Sequence, residues 1–133
     1  MNLSPWAKLQ YSSIQGHLSA TTMVFSIGRS KSRRVDEAIG TISDIIVSQE
    51  AEKAGTRHEY YEAVGPGAHE ILLKRGVEIS KAVYFTYETF RVEGDFIVVA
   101  KALPVSGIEG KIIYESKTGK WAPTEDIRQE WLP

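Results

Sequence analysis

A short basic segment holds the densest group of chemically active residues in this sequence. Residues 28–34, GRSKSRR, contain four cationic side chains among serines: Arg29, Lys31, Arg33 and Arg34. If a helix began near Ser32, its free N–H groups and these cations would form a site for an anion. The spacing is not that of a P-loop, which requires Gly-x-x-x-x-Gly-Lys-Ser/Thr. Two interpretations stay open: a site for an anionic or nucleotide-like ligand, and a solvated basic loop or charged subunit contact.

Two His-Glu pairs, His58-Glu59 and His69-Glu70, raise the question of metal binding or acid–base catalysis. A helical metal motif places two histidines at i and i+4, whereas these lie eleven residues apart. Neither histidine lies beside a serine nucleophile with an orienting acid, and the chain has no cysteine. We therefore predict surface histidines, and no catalytic residue, metal ligand or cofactor.

The glycine-rich segment Gly65-Pro66-Gly67 lacks the spacing of a dinucleotide-binding loop. A proline between two glycines fixes one φ angle and leaves its neighbours free. That chemistry is typical of a bend. We predict a bend that leads into an apolar strand over 69–75, HEILLKR, which ends at Gly76.

Composition limits the function classes. The chain has 133 residues, 42% hydrophobic and 25% charged, which predicts one globular domain with a sizeable core. Its net charge of −1 disfavours a general nucleic-acid or membrane-surface binder, although a local basic patch remains at 28–34. We expect no membrane span and no secretory signal, because the sequence has no long apolar run and no basic region followed by an apolar one.

Most of the chain has the pattern of β-structure. Segments rich in β-branched and aromatic residues, separated by glycine turns, predict five strands: 18–27, 69–75, 82–92, 95–105 and 111–116. A further segment, 8–14, is predicted to pair with the first of them. Residues 96–100, FIVVA, are apolar on both faces, which predicts a central strand, and Pro104 predicts that pairing stops nearby.

The predicted fold class is mainly β or α+β: an antiparallel sandwich or small barrel with at most one or two short helices. We place this domain at 1–120 and a polar C-terminal arm at 121–133, WAPTEDIRQEWLP.

Residues 35–54 admit both a helix and a strand. In a helix, Val35, Ile39, Ile42 and Ile46 share one face, and Gly55 follows the end as a cap. A strand is favoured by the many β-branched side chains of residues 38–49 and by Gly40, because glycine is unfavourable in the interior of a helix. A helix over 50–55 fits either version.

Several segments in order, IGTISDIIVSQ, YYEAVGPGAHEILLKRGV, DFIVV and GKIIYESKTGKW, resemble the tail-tube proteins of tailed bacteriophages and related contractile injection systems. The resemblance covers about residues 38–77. It implies that 38–49 is a strand, that the fold is a β-sandwich or barrel, and that subunits form hexameric rings which stack into a tube. Ring stacking would use an extended loop, 49–63, that closes the sheets of neighbouring subunits.

Seven residues of that loop are the assembly residues implied by this comparison: Gln49, Glu50, Glu52, Lys53, Arg57, His58 and Glu59. Their balanced charges suit a contact that fixes register between subunits. The expected function is therefore a non-enzymatic, homo-oligomeric structural protein of a virion, with itself and other virion proteins as partners. The alternative is a ligand-binding domain, located in the cytoplasm, with Arg29, Lys31, Arg33 and Arg34 as its site.

Overall fold

A computed structural model describes residues 20–133 of the chain, with side-chain environments from residue 30 onward. Its helices and strands are α1, Ala20–Ala54; α2, Ala68–Lys74; β1, Phe85–Val92; β2, Asp95–Ala102; β3, Lys111–Glu115; and β4, Lys120–Pro123. The strands form one antiparallel sheet in the order β1-β2-β3-β4. The α+β form of the predicted fold class is therefore confirmed, and the described residues show no second sheet that would build a sandwich or barrel. The expectation of short helices only is wrong, because α1 has 35 residues.

Residues 35–54, for which the sequence allowed both a helix and a strand, are helical and belong to the long helix α1. Its inward face repeats every three or four residues, and six positions on it are buried: Val35, Ala38, Thr41, Ile42, Ile45 and Gln49. Ile39 and Ile46 flank this face and pack against the core. The strand that the resemblance implies over 38–49 is not present. Burial of this periodic face outweighs the weak strand preference of isoleucine and valine.

The predicted strand over 18–27 is also wrong from Ala20 onward, because these residues are the first turns of α1. Its β-branched and aromatic composition favoured a strand. Residues 18 and 19, and the pairing partner predicted at 8–14, lie outside the described residues.

The segment 69–75 forms the helix α2 and not the predicted strand. Gly65–Gly67 makes a 3-10 turn that leads into it, and Ala68 and Leu72, four residues apart, are buried on one side. Gly76, at φ +84°, ends the helix: its N–H donates to Leu73 O and that of Val77 donates to Leu72 O. This pair of bonds is a Schellman cap, which favours glycine at the left-handed position.

The sheet confirms the strand predictions in the second half of the chain. β1 and β2 are joined by a two-residue turn, Glu93-Gly94, in which both φ angles are positive, as a type I′ hairpin turn requires. Side chains alternate along β1, since Phe85, Tyr87 and Thr89 face inward. The strand β2 lies between β1 and β3 and ends at Ala102, before Pro104, as expected.

Residues 121–133, predicted as a polar arm, take part in the sheet and the core. Lys120–Pro123 pairs with β3 as β4. Ile127 is buried, and Trp121, Trp131 and Leu132 pack against the core. The apolar residues of this segment are spaced too irregularly to indicate a helix or strand, and only the core that they contact gives them a partner.

The side chain of Gln49 joins α1 to the sheet inside the core. Its Nε2 donates to Tyr61 O (2.8 Å) and to Thr89 Oγ1 (2.9 Å), and its Oε1 accepts from Tyr61 N (2.9 Å). Gln49 and Thr89 are both fully buried. The amide thus makes the two hydrogen bonds that a neighbouring strand would make with the backbone of Tyr61. It also satisfies buried polar groups that water does not reach.

A carboxylate on the same helix holds the start of β1. Glu37 Oε1 accepts from Val83 N (2.7 Å) and Tyr84 N (3.1 Å), and its Oε2 accepts from the hydroxyl of Tyr87 (2.9 Å). Burial raises the pKa of Tyr87 well above its ordinary value of 10.0, so the hydroxyl stays protonated and able to donate. Gln49 and Glu37 therefore attach α1 to β1 at two points twelve residues apart along the helix.

We expect Gln49→Leu to lower the free energy of unfolding by about 2–4 kcal/mol, because two buried backbone groups of Tyr61 lose their partners. Urea denaturation measures the change. The control is Val47→Leu on the 68% exposed opposite face, for which we expect a change within about 0.5 kcal/mol. Equal stability of Gln49→Leu and the wild type would contradict the role given to the amide.

We expect Gly40→Ala to raise the free energy of unfolding by about 0.5–1 kcal/mol, because alanine restricts the unfolded chain and favours helix. Gly40 is exposed on α1, and an added Cβ meets nothing within 4 Å. The matched control is Gly94→Ala, which should destabilise, since Gly94 has φ +85°. Thermal unfolding compares the two, and a destabilising Gly40→Ala would refute the expectation.

Candidate functional site

The outer face of the sheet, turned away from α1, carries a group of apolar side chains. Register places them next to one another: Phe90 lies opposite Ile97, and Val99 lies opposite Ile113. All four are half-buried, and none belongs to the core that the inner face shares with α1. No helix or strand among the described residues covers them. This group, which we call the outer patch, is a second apolar surface on a four-stranded sheet.

Charged residues bound the outer patch at the two ends of the strands. Lys101 and Lys111 lie directly opposite each other at one end. Asp95 and Glu115 lie at the other end, on the same face and the same two strands. Within the described part of the chain, none of the four makes an ion pair. The centre of the face is mainly apolar, with Glu88 beside Val99 on β1. One end carries the two lysines, and the other carries the two carboxylates with Lys120 of β4 opposite Glu115.

The free edge of β1 is covered by the preceding segment. Ala63 and Thr89 exchange backbone hydrogen bonds of 3.0 Å, and the Arg91 N–H donates to Glu62 Oε2 (2.9 Å). With the N–H groups of Thr89 and Arg91 occupied, this part of the edge offers little for a strand of another subunit.

The opposite edge, on β4, is short. It has four residues, it ends at Pro123, which has no N–H, and the Trp121 carbonyl accepts from Gln129 Nε2 (2.8 Å). The sheet therefore presents a face more readily than an edge to another molecule.

The basic cluster predicted as an anion site lies within α1, and no helix begins near Ser32. The N–H groups there are inside the helix, so the proposed combination of a helix N-terminus and cations is not formed. Arg34 donates to Ser106 O (2.6 Å) and lies over the ring of Tyr84, 5.5 Å from its centroid. Arg33 is exposed, and for Arg29 the structure describes the backbone alone.

Lys31 pairs with Asp126 at 3.4 Å. The backbone N–H of Glu109 lowers the pKa of Asp126 below its ordinary 3.8, and Lys31 adds to this effect. Two of the four predicted ligand-binding cations thus bind parts of the chain itself, and they hold the C-terminal half of the fold against α1.

The predicted assembly loop, 49–63, is helical as far as Ala54. Four of its seven residues lie on the last turns of α1: Gln49, Glu50, Glu52 and Lys53. Gln49 is buried in the network described above, so it is unavailable to a partner. Only Arg57, His58 and Glu59 follow the helix as an exposed connection.

Sequence analysis missed two arginines that contact this region. Arg75, after α2, pairs with Glu52 and lies over the ring of Tyr61, 4.6 Å from its centroid. Arg91, on β1, pairs with Glu59, with 3.4 Å between Arg91 Nη1 and Glu59 Oε2. With Arg57 they line a polar cleft of about 240 Å³. Arginines distant in sequence gave no pattern that would have linked them to the loop.

The two His-Glu pairs do not come together. His58 is exposed at φ +55°, and His69 is exposed on the first turn of α2. Among residues 20–133, no three acidic or histidine side chains are placed to hold a metal ion. In the same part of the chain, no helix has both the length and the apolar content of a membrane span.

Comparisons of this chain with family models, with curated proteins and with solved structures gave no match. The chemistry of the described surfaces is therefore the basis for assigning a function.

We expect Arg34→Ala to lower the free energy of unfolding by about 1–3 kcal/mol, because Ser106 O loses a charged donor. The control is Lys81→Ala, an exposed cation without a hydrogen bond or ion pair in the described structure. Chemical denaturation measures both. Unchanged stability of Arg34→Ala, together with lost binding of a nucleotide in calorimetry, would favour the ligand-binding alternative.

Proposed function

We propose that this protein is a non-enzymatic structural subunit that forms homo-oligomers through the outer patch. The observation that carries the proposal is the half-buried apolar group on the outer face of β1, β2 and β3, formed by Phe90, Ile97, Val99 and Ile113. A contiguous apolar surface bounded by charged residues is typical of protein interaction sites.

The physical reason for association is removal of this surface from water. Each square ångström of apolar area buried contributes about 25 cal/mol before the cost of association. Face-to-face stacking is the contact that an open sheet offers when its edges are short or covered. The pairing of Ala63 with Thr89 and the position of Pro123 therefore support a face contact over an edge contact.

The narrower form of the proposal is a virion component such as a tail-tube subunit, with other virion proteins as partners. It rests on the sequence resemblance alone. The helix at 38–49 departs from the strand that this resemblance implies, so we keep self-association as the proposed activity. The ring, the tube and location in a virion, as opposed to the cytoplasm, are separate proposals.

The alternative function, capture of an anionic ligand at the 28–34 cluster, has less support. Lys31 and Arg34 already contact Asp126 and Ser106. A ligand would have to compete with these contacts. Self-association needs no rearrangement of the described residues.

We expect the double substitution Val99→Thr and Ile113→Thr to weaken self-association by at least about tenfold, because apolar groups are lost from both copies of the contact. Threonine keeps the β-branched shape that suits a strand. Sedimentation of the wild type and the variant over a concentration series measures the change.

The control for this experiment is Val47→Thr, which removes an apolar group from the exposed face of α1, where Val47 is 68% exposed. It should leave the mass of the oligomer unchanged. A wild type that stays monomeric at high concentration would disprove the proposed function, and equal effects of the two variants would exclude the outer patch as the contact.

A further inference from the structure

We infer that the outer patch binds a second copy of this chain in a two-fold arrangement in which the strands of the two copies run antiparallel. The inference rests on the proposed function and adds the orientation and number of the partners. It comes from four charged residues on β2 and β3 that make no ion pair in the described structure: Asp95, Lys101, Lys111 and Glu115.

The positive end of the face calls for an acidic partner. Lys101 and Lys111 are cross-strand neighbours, and like charges placed directly opposite each other destabilise a sheet. Both side chains are exposed, and within residues 20–133 no carboxylate lies close enough to pair with them. A carboxylate supplied from outside the chain would relieve this repulsion.

The negative end carries suitable groups. Among the described residues, the Asp95 carboxylate accepts from the Ser116 hydroxyl alone (3.2 Å), and the Glu115 carboxylate from the Thr118 hydroxyl alone (3.2 Å). Lys120 lies across the ladder from Glu115, yet no ion pair forms between them. The carboxylates can therefore meet the lysines of another copy if that copy is turned end for end.

One symmetry axis accounts for both pairs of charges. On β2, Asp95 and Lys101 each lie three residues along the chain from Val98. On β3, Lys111 and Glu115 each lie two residues from Ile113. In the register Ile113 pairs with Val99, the neighbour of Val98. The two midpoints thus differ by one residue, about 3.3 Å along the strands.

A two-fold axis in the plane between the sheets, crossing the strands near Val99 and Ile113, brings each lysine end over the acidic end of the other copy. It also places Ile97 of one copy near Val99 of the other, and Ile113 near its own counterpart. On β2 and β3, apolar groups then meet at the centre and opposite charges meet at the rim, as in stable interfaces. On β1 the axis passes near Glu88, which lies opposite Val99 and whose carboxylate accepts from Gly65 N (2.7 Å). Aligned sheets pack face to face about 10 Å apart.

This arrangement predicts a closed dimer. A two-fold interface uses the same surface on both subunits and leaves no copy of it free, whereas a ring needs two different surfaces on each subunit. Any larger assembly would then require another contact in addition to the outer patch.

The first test reverses the charges at one end at a time. The variant Lys101→Glu with Lys111→Glu, and the variant Asp95→Lys with Glu115→Lys, should each be monomeric at concentrations where the wild type is dimeric. An equimolar mixture should restore a dimer, identified as a heterodimer by native mass spectrometry. Circular dichroism and thermal unfolding verify that each variant is folded.

The second test uses the wild type and a zero-length carbodiimide cross-linker, with the products mapped by peptide mass spectrometry. We expect a cross-link between Lys101 and Asp95. These residues lie at opposite ends of one strand, about 20 Å apart within a chain, so this cross-link can form only between copies.

The outcomes separate this inference from the proposed function. A monomeric wild type overturns both. An oligomer that keeps its mass after reversal of one end, that yields no Lys101–Asp95 cross-link, or that forms rings of more than two copies overturns the two-fold arrangement and leaves self-association standing.

Discussion

The buried amide of Gln49 is the constraint on which the described fold depends. One side chain on α1 meets both backbone groups of Tyr61 and the hydroxyl of Thr89. Thr89 in turn donates to Ile97 O (3.0 Å), so the network reaches β2. A buried amide without hydrogen-bond partners would cost a large share of the free energy of unfolding. The depth and rotation of α1 against the sheet are therefore fixed by the need to place this amide next to its partners.

The position of α1 then determines which surfaces remain for interaction. With the helix on the inner face, α1 and α2 bury the apolar residues Phe85, Phe96 and Val98, and no described helix or strand covers the second face of the sheet. A larger fold would cover that face with a second layer. Lys31 and Arg34 contact Asp126 and Ser106 in the C-terminal half of the fold. The outer patch is therefore the surface whose chemistry the fold leaves unused.

Much of the sheet was predictable because each strand carries local signals of its own. The alternation in β1, the doubly apolar β2 and the turn at Glu93-Gly94 are properties of neighbouring residues. The helix α2 also had a local signal, Lys74-Arg75 followed by Gly76, which is typical of a helix C-terminus. Its apolar run was interpreted as a strand because seven residues are too few for periodicity to decide.

The sequence by itself determined an α+β or β-rich domain, its hairpins and the lack of a known catalytic pattern, since these follow from short-range spacing. Tertiary structure alone decided that 35–54 is a helix, because strand and helix preferences nearly balance there and burial of the Val35-to-Gln49 face breaks the balance. It alone brought Lys101 beside Lys111 and Ile113 beside Val99. Which face of a sheet stays uncovered depends on where a distant helix packs, and the residues of the strands alone do not determine this.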